Sequence, residues 1–234
     1  MRPYTGPEDL RLMQGLAQRL WSHRSQWHIG DLAWGRFQHL GREPEWPTAL
    51  WEADGRKPET VWLLDGEEHL VPAGCTAREV GSVHMSRSLA ELPEPVLPPG
   101  FRVGPVEDVA ARVACHRSVW HPSRVTEESY RVVMGAWPYE RSLDQVVVAS
   151  DGTVAAQCLV WADEVNAVGE LEPVGTVGSL RRLGLGRAVC LAAMRAAAER
   201  GCAQAVVYPV TEAAQAFYQS LGFEPYARAR AYRP

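Results

Sequence analysis

The chain has 234 residues, of which 46% are hydrophobic and 22% charged, with a net charge of −4. That length holds one large domain or two small ones, the composition is that of a globular protein, and a mildly acidic balance gives no electrostatic footprint for nucleic acid. No apolar run approaches a membrane span, Met1-Arg2-Pro3-Tyr4 opens no signal-peptide core, and the scattered Cys75, Cys115, Cys158, Cys190 and Cys202 lack metal-type spacing, so a cytoplasmic protein with reduced thiols is expected.

In chain order, the N-terminal part carries half of an internal repeat. Glu8-Asp9-Leu10 is echoed by Glu107-Asp108-Val109, and Trp21 by Trp120 at the same spacing. Glu52-Ala53-Asp54-Gly55 matches Ala149-Ser150-Asp151-Gly152, and Thr60-Val61-Trp62-Leu63-Leu64 is similar to the run from Ala205 to Pro209. His84-Met85-Ser86-Arg87-Ser88 falls where a last strand would lie. Chance likeness among short βα units is the competing reading. The segment from Leu92 to Gly100, rich in proline, reads as a linker. The expected division is residues 1–91, a linker at 92–100, and a larger unit at 101–234.

The larger unit alternates strands and helices. Phe101 to Val106 predicts a strand and Glu107 to Trp120 a helix. Thr126 to Ala136 predicts a second helix with Thr126 as its N-cap. Asp144 to Ser150 and Thr153 to Asp163 predict paired strands about the turn signal Asp151-Gly152. Val168 to Val177 predicts a strand that Pro173 interrupts, which implies a bulge or an unpaired position. Ala188 to Arg200 consists of strong helix formers. Ala203 to Tyr208 predicts a buried strand, Glu212 to Leu221 a helix, and the remainder terminal strands.

The turn before the third of these helices carries the most chemistry. Arg181-Arg182-Leu183-Gly184-Leu185-Gly186-Arg187 joins a strand to a helix N-terminus, where N–H groups lack partners and a partial positive charge collects. Glycines admit a phosphate to the backbone, and arginines add charge-assisted donors. A pyrophosphate cradle follows from the residues alone; a tight turn with solvated arginines is the plainer alternative. A P-loop does not fit, since Arg187-Ala188 stands where Lys-Ser/Thr is needed. A dinucleotide fingerprint does not fit either, since Val189 replaces its third glycine.

Arg181-x-x-Gly184-x-Gly186 resembles the pyrophosphate motif of the GNAT N-acetyltransferases. Ala213-Ala214-Gln215-Ala216-Phe217-Tyr218-Gln219-Ser220-Leu221-Gly222-Phe223 is similar to the later helix of that family. The resemblance runs from about Phe101 to the C-terminus. It implies an α/β (α+β) GNAT fold, a mixed, mostly antiparallel sheet flanked by helices, with a smaller partial GNAT-like N-terminal part that lacks the cradle and its neighbouring strands and helix. Such a part leaves sheet edges unpaired, so it is expected to pack against the larger unit or another protomer and not to be stable alone.

The resemblance also implies acetyl-CoA as cosubstrate. Arg181, Arg182, Gly184, Leu185, Gly186 and Arg187 would anchor it, and backbone N–H groups of Val174, Gly175 and Thr176 would polarise the thioester. Glu172 is the first choice of base and Glu170 the second; two apart on a strand, they share a face. Either carboxylate could instead attract a cationic amine or merely solvate an edge. Tyr218 occupies the general-acid position, or alternatively caps the sulfur pocket. His116 and His121 beside Trp120, and His23 near Trp21, read as structural clusters or as the rim of an acceptor pocket. Trp120, Trp137 and Tyr139 are candidates to shape that pocket. No metal constellation is present in the pattern, and no serine elbow. The expected function is acetyl transfer to a primary amine of a small molecule or peptide by direct attack. No nucleic-acid or membrane partner is expected, and the protein is a monomer or homodimer. A non-catalytic acyl-CoA sensor or scaffold is the alternative.

Overall fold

A computed structural model describes residues 2–21, 27–42, 48–51, 60–63 and 76–233. Glu52–Gly55 of the repeat, His23 and Cys75 lie outside them. In order, the elements are β1 (Arg2–Pro3), α1 (Pro7–Leu20), α2 (Ile29–Phe37), β2 (Thr48–Trp51), β3 (Thr60–Leu63), β4 (Thr76–Ser88), β5 (Phe101–Pro105), α3 (Val109–Val119), α4 (Glu127–Gly135), β6 (Asp144–Ala149), β7 (Val154–Asp163), β8 (Val168–Thr176), α5 (Leu185–Glu199), β9 (Gln204–Val207), α6 (Glu212–Ser220) and β10 (Glu224–Arg233). No helix among the described residues is long and apolar enough to cross a membrane.

The main sheet has seven strands in the order β10-β4-β9-β8-β7-β6-β5. Every described pairing in it is antiparallel except β8 with β9. This is the mixed, mostly antiparallel sheet that the sequence implies. β1, β2 and β3 form a second, small sheet. The chain end differs from expectation: one long strand, β10, replaces several terminal strands.

Two features tie the N-terminal part to the rest. β4 runs between β9 and β10, pairing Met85 with Val207 on one side and Pro225 on the other. The main sheet therefore draws on residues before the linker. α2 lies on β7 through Gly30, where a Cβ would come within 2.3 Å of the Trp161 side chain; only glycine permits that approach. Ala33 and Trp34 of α2 then share one buried cluster with Tyr130, Val133, Leu159 and Trp161. Polar ties reinforce the contact: Gln14 donates to the Trp137 carbonyl at 2.9 Å and Gln18 to Asp163 at 2.6 Å. Trp21 and Trp120 each stand at the C-cap of their helices, α1 and α3.

The linker packs on α5. Arg195 donates to the Leu92 carbonyl at 3.1 Å and pairs with Glu94 at 2.6 Å. The central core lies between the sheet and α5, from Met85 and Leu143 to Val189, Met194 and Phe223. A second buried feature is polar. Arg112 of α3 pairs with Asp144 at 3.0 Å and with Gln157, while Tyr130 and Tyr139 both donate to Asp144. This network fixes α3 and α4 against β6 and β7.

Candidate active site

The parallel pairing of β8 with β9 stops at Glu170–Val206. Beyond it β8 continues along β7, with Val174, Gly175 and Thr176 opposite Cys158, Gln157 and Ala156. The β9 side of that stretch is left open. The register of β7 and β8 shifts between Cys158 and Val160, opposite Glu172-Pro173, so the expected bulge is present. Trp161 holds it by donating from Nε1 to the Glu172 carbonyl at 2.7 Å. The divergence opens a cleft of about 1500 Å³.

One end of this cleft is the Arg/Gly turn. Gly184 caps α5 with φ +81° and no side-chain cap, whereas Asp108, Thr126 and Thr211 each cap their helices with an oxygen. The first N–H groups of α5 therefore keep no intrahelical or capping partner. Gly186 faces Thr176, whose Oγ1 would lie 2.9 Å from an added Cβ. Arg181, Arg182 and Arg187 line the cleft and are exposed. Arg181 donates to the Thr176 carbonyl at 3.3 Å and Arg187 to the Ser220 carbonyl at 2.9 Å. Bare N–H groups, a slot kept open by glycine, and cations at the rim suit an anionic diphosphate. The cradle residues named from sequence, together with Val174, Gly175 and Thr176, all line one cleft.

Tyr218 of α6 lines the same cleft. Its ring meets Phe217 and Phe223 edge-on at 5.1 and 5.6 Å. Burial pushes its phenol well above the usual value, and the neighbouring Cys190 and Cys158 thiols and Glu172 add to the shift.

The far end is acidic. Glu172 lines the cleft and Glu170 sits behind it, 1% exposed. Each is raised from 4.5 to about 8, chiefly by burial; Glu172 further raises Glu170, and Asp31 raises Glu172. Asp31 was invisible as a site residue in the sequence, yet it lines the same cleft. Its backbone N–H donates to Glu170 Oε2 at 3.0 Å, and its carboxylate accepts the His28 N–H at 3.1 Å. Burial and Glu170 raise its carboxyl well above 3.8. His28 Nδ1 accepts the Gly30 N–H at 3.1 Å and lies 3.2 Å from Glu170. Burial lowers His28 to about 4, so at neutral pH that contact is no ion pair.

The remaining candidates separate. Trp120 lines the cleft and stacks on His116 at 4.4 Å. His116 is buried between Trp34 and Gln157, and burial lowers it to about 3. His121 is exposed on the loop after α3. Trp137 lies under the Arg11 guanidinium at 3.3 Å, and Tyr139 donates to Asp144; neither lines the cleft. Among the described residues no His, Cys, Asp and Glu group could hold a metal ion.

A sheet split beside an uncapped helix N-terminus, with carboxyl groups lining the same cleft, defines a mixed α/β fold with a site for an anionic ligand. Residues 110–223 match the model of the Acetyltransferase (GNAT) family, so this unit of the chain is similar to that family. Mycothiol acetyltransferase from Amycolatopsis mediterranei (strain U-32) is 32% identical over 161 residues, 62% of this chain and 54% of that protein. The chain spans about half the length of the curated relatives it matches. A GCN5-related N-acetyltransferase from Sphaerobacter thermophilus shares the fold over 68% of this chain and 52% of its own, at TM-score 0.58 and 18% identity. A tandem GNAT protein from the clavulanic acid biosynthesis pathway aligns with 99% of this chain and 96% of its own, at TM-score 0.60 and 14% identity.

Proposed function

We propose that this protein is an acetyl-CoA-dependent N-acetyltransferase acting on a primary amine of a small molecule or peptide by direct attack. The observation that carries this reading is one cleft lined by the bare α5 N-terminus, the carboxyl groups of Glu172 and Asp31, and Tyr218. The likeness to the family and the mycothiol acetyltransferase relatives support acetyl transfer. Acetyl-CoA, when bound, supplies the thioester. Arg181, Arg182, Arg187 and the N–H groups of Leu185 and Gly186 hold its pyrophosphate. The open edge at Val174, Gly175 and Thr176 faces the thioester carbonyl with backbone donors. Glu172, in the ionised form it gains as pH rises towards 8, takes the proton of the amine, with Glu170 behind it and Asp31 beside it to hydrogen-bond the amine. Tyr218 gives its proton to the departing sulfur.

In this reading the N-terminal part is a degenerate GNAT copy that encloses the acceptor end, one acetyl-CoA binds per chain, and the protein works in the cytoplasm as a monomer or homodimer. An amine library scored by free-thiol release from acetyl-CoA tests it. At least one amine is expected to accelerate release at least about 100-fold over buffer, the lower end of the scale of acid–base assistance. Acetyl-CoA binding with no release across the library would instead mean an acyl-CoA sensor. Calorimetry that found two acetyl-CoA molecules per chain would overturn the degenerate copy.

A further inference from the structure

The acidic end of the cleft has a second wall that the transfer chemistry leaves unused. His84 comes from β4, the strand that the N-terminal part lends to the main sheet, and Tyr208 directly follows β9. Both line the cleft. Their rings lie 4.4 Å apart, with Tyr226 of β10 5.9 Å from His84. Tyr208 lies two residues beyond Val206, the β9 partner of Glu170, and so beside the carboxyl cluster; burial, with Glu170, Tyr226 and Asp31 adding to the shift, drives its phenol well above its usual value.

Neither side chain is well partnered. His84 is 6% exposed, and no hydrogen bond is recorded for its ring nitrogens among the described residues. The Tyr208 hydroxyl is buried and makes no close hydrogen bond, with the Tyr226 phenol as its polar neighbour. A buried polar group left short of partners forgoes the hydrogen bond that water gave it in the unfolded chain, so such groups are uncommon. A phenol in that state beside an unengaged imidazole on a cleft wall is explained by a ligand that supplies the missing partner.

Their chemistry selects that ligand. Burial lowers His84 to about 4, so the imidazole is neutral and offers one donor and one acceptor. A phenol likewise gives and takes one hydrogen bond. A hydroxyl matches both. A carboxylate only accepts, and it would lie near the Asp31 and Glu172 carboxyl groups. A second ammonium only donates, and it would leave the phenol and imidazole protons unmet. We infer that His84 and Tyr208 are specificity residues that hold a hydroxyl of the acceptor, so that the preferred substrate is a hydroxylated amine, an amino alcohol or amino sugar. The inference rests on the acceptor reading proposed above, with the amine at Asp31 and Glu172.

Serinol and isopropylamine share one skeleton and one ammonium and differ by two hydroxyls. Calorimetric titration of the full chain, with CoA present, is expected to show serinol binding about ten-fold tighter, the scale of one net hydrogen bond. Tyr208→Phe and His84→Phe should each bring the two affinities close together while leaving isopropylamine unchanged. Tyr208→Phe keeps the ring, so it decides the matter should His84→Phe fail to fold. Equal affinities in the wild type, or a preference that survives both substitutions, overturn the inference alone. Binding of neither amine overturns the acceptor reading and the inference with it.

Discussion

Packing, not hydrogen bonding, holds Tyr218. Its ring is gripped by Phe217 and Phe223, and among the described residues no hydrogen bond engages its hydroxyl. Burial keeps the phenol protonated far above neutral pH, which suits a donor to a thiolate. Tyr218→Phe is expected to cut turnover roughly 100-fold, the lower range for general-acid loss, with acetyl-CoA affinity by calorimetry unchanged. Unchanged turnover would remove Tyr218 from the mechanism. The carboxyl pair carries a pH signature. Glu172 is raised to about 8 by burial and by Asp31, so it is mostly protonated at pH 7 and gains its basic form as pH rises. Turnover should climb to a plateau above pH 8, and Glu172→Gln should abolish that limb. Glu170 acts on stability. The native state keeps its proton up to about pH 8, whereas the unfolded chain releases it near 4.5. Its contribution is complete below 4.5 and is lost as pH rises through 8. Thermal melts at pH 5 and pH 8 should differ less in Glu170→Gln than in the wild type; an equal difference would mean that Glu170 is not the group.

At the scale of elements, the cradle was legible because it is contiguous. A strand, two glycines and an alanine-rich helix follow one another, and local propensity suffices to place them. Gly186→Ala should insert a methyl 2.9 Å from Thr176 Oγ1, narrowing the slot between α5 and β8. We expect acetyl-CoA affinity to fall about ten-fold with the melting temperature little changed, a loss of about 1.4 kcal/mol. Retained affinity would mean that the slot is not where the diphosphate lies. The bulge at Pro173 was legible for a similar reason: proline cannot continue a ladder. Asp31 was not. It lies 139 residues from Glu170, and the two meet only because Gly30 lets α2 rest on Trp161. No local pattern encodes that approach. Trp137 and Tyr139 misled for the converse reason: aromatic residues near an expected site were assigned to it, whereas Arg11 and Asp144 claim them. Arg112 and Asp144 likewise give no local sign of pairing. Both are wholly buried and joined at 3.0 Å. Removing one partner strands the other, so Arg112→Met should cost about 3–5 kcal/mol in chemical denaturation.

The main sheet of the molecule is built from both sides of a linker. β4 fills the space between β9 and β10 and pairs along both, and α2 brings Asp31 to the acidic end of the cleft. Residues 101–234 alone would therefore expose one edge of β9 and one of β10, with Phe223 and Val207 losing the cover of Val83 and Met85. Unpaired edges of this kind favour aggregation over folding. Residues 1–91 alone would hold β4 with no sheet to join. Neither fragment is expected to melt cooperatively. Cut instead after Val96 and co-expressed, the two pieces should reassemble, because Leu92 and Glu94 still meet Arg195 across the break. The measurement is a thermal melt of residues 1–96 and 97–234, apart and together. A cooperative transition in residues 97–234 by themselves would show that β4 is an addition to an already stable sheet, and the N-terminal part would then be needed for the acceptor but not for the fold.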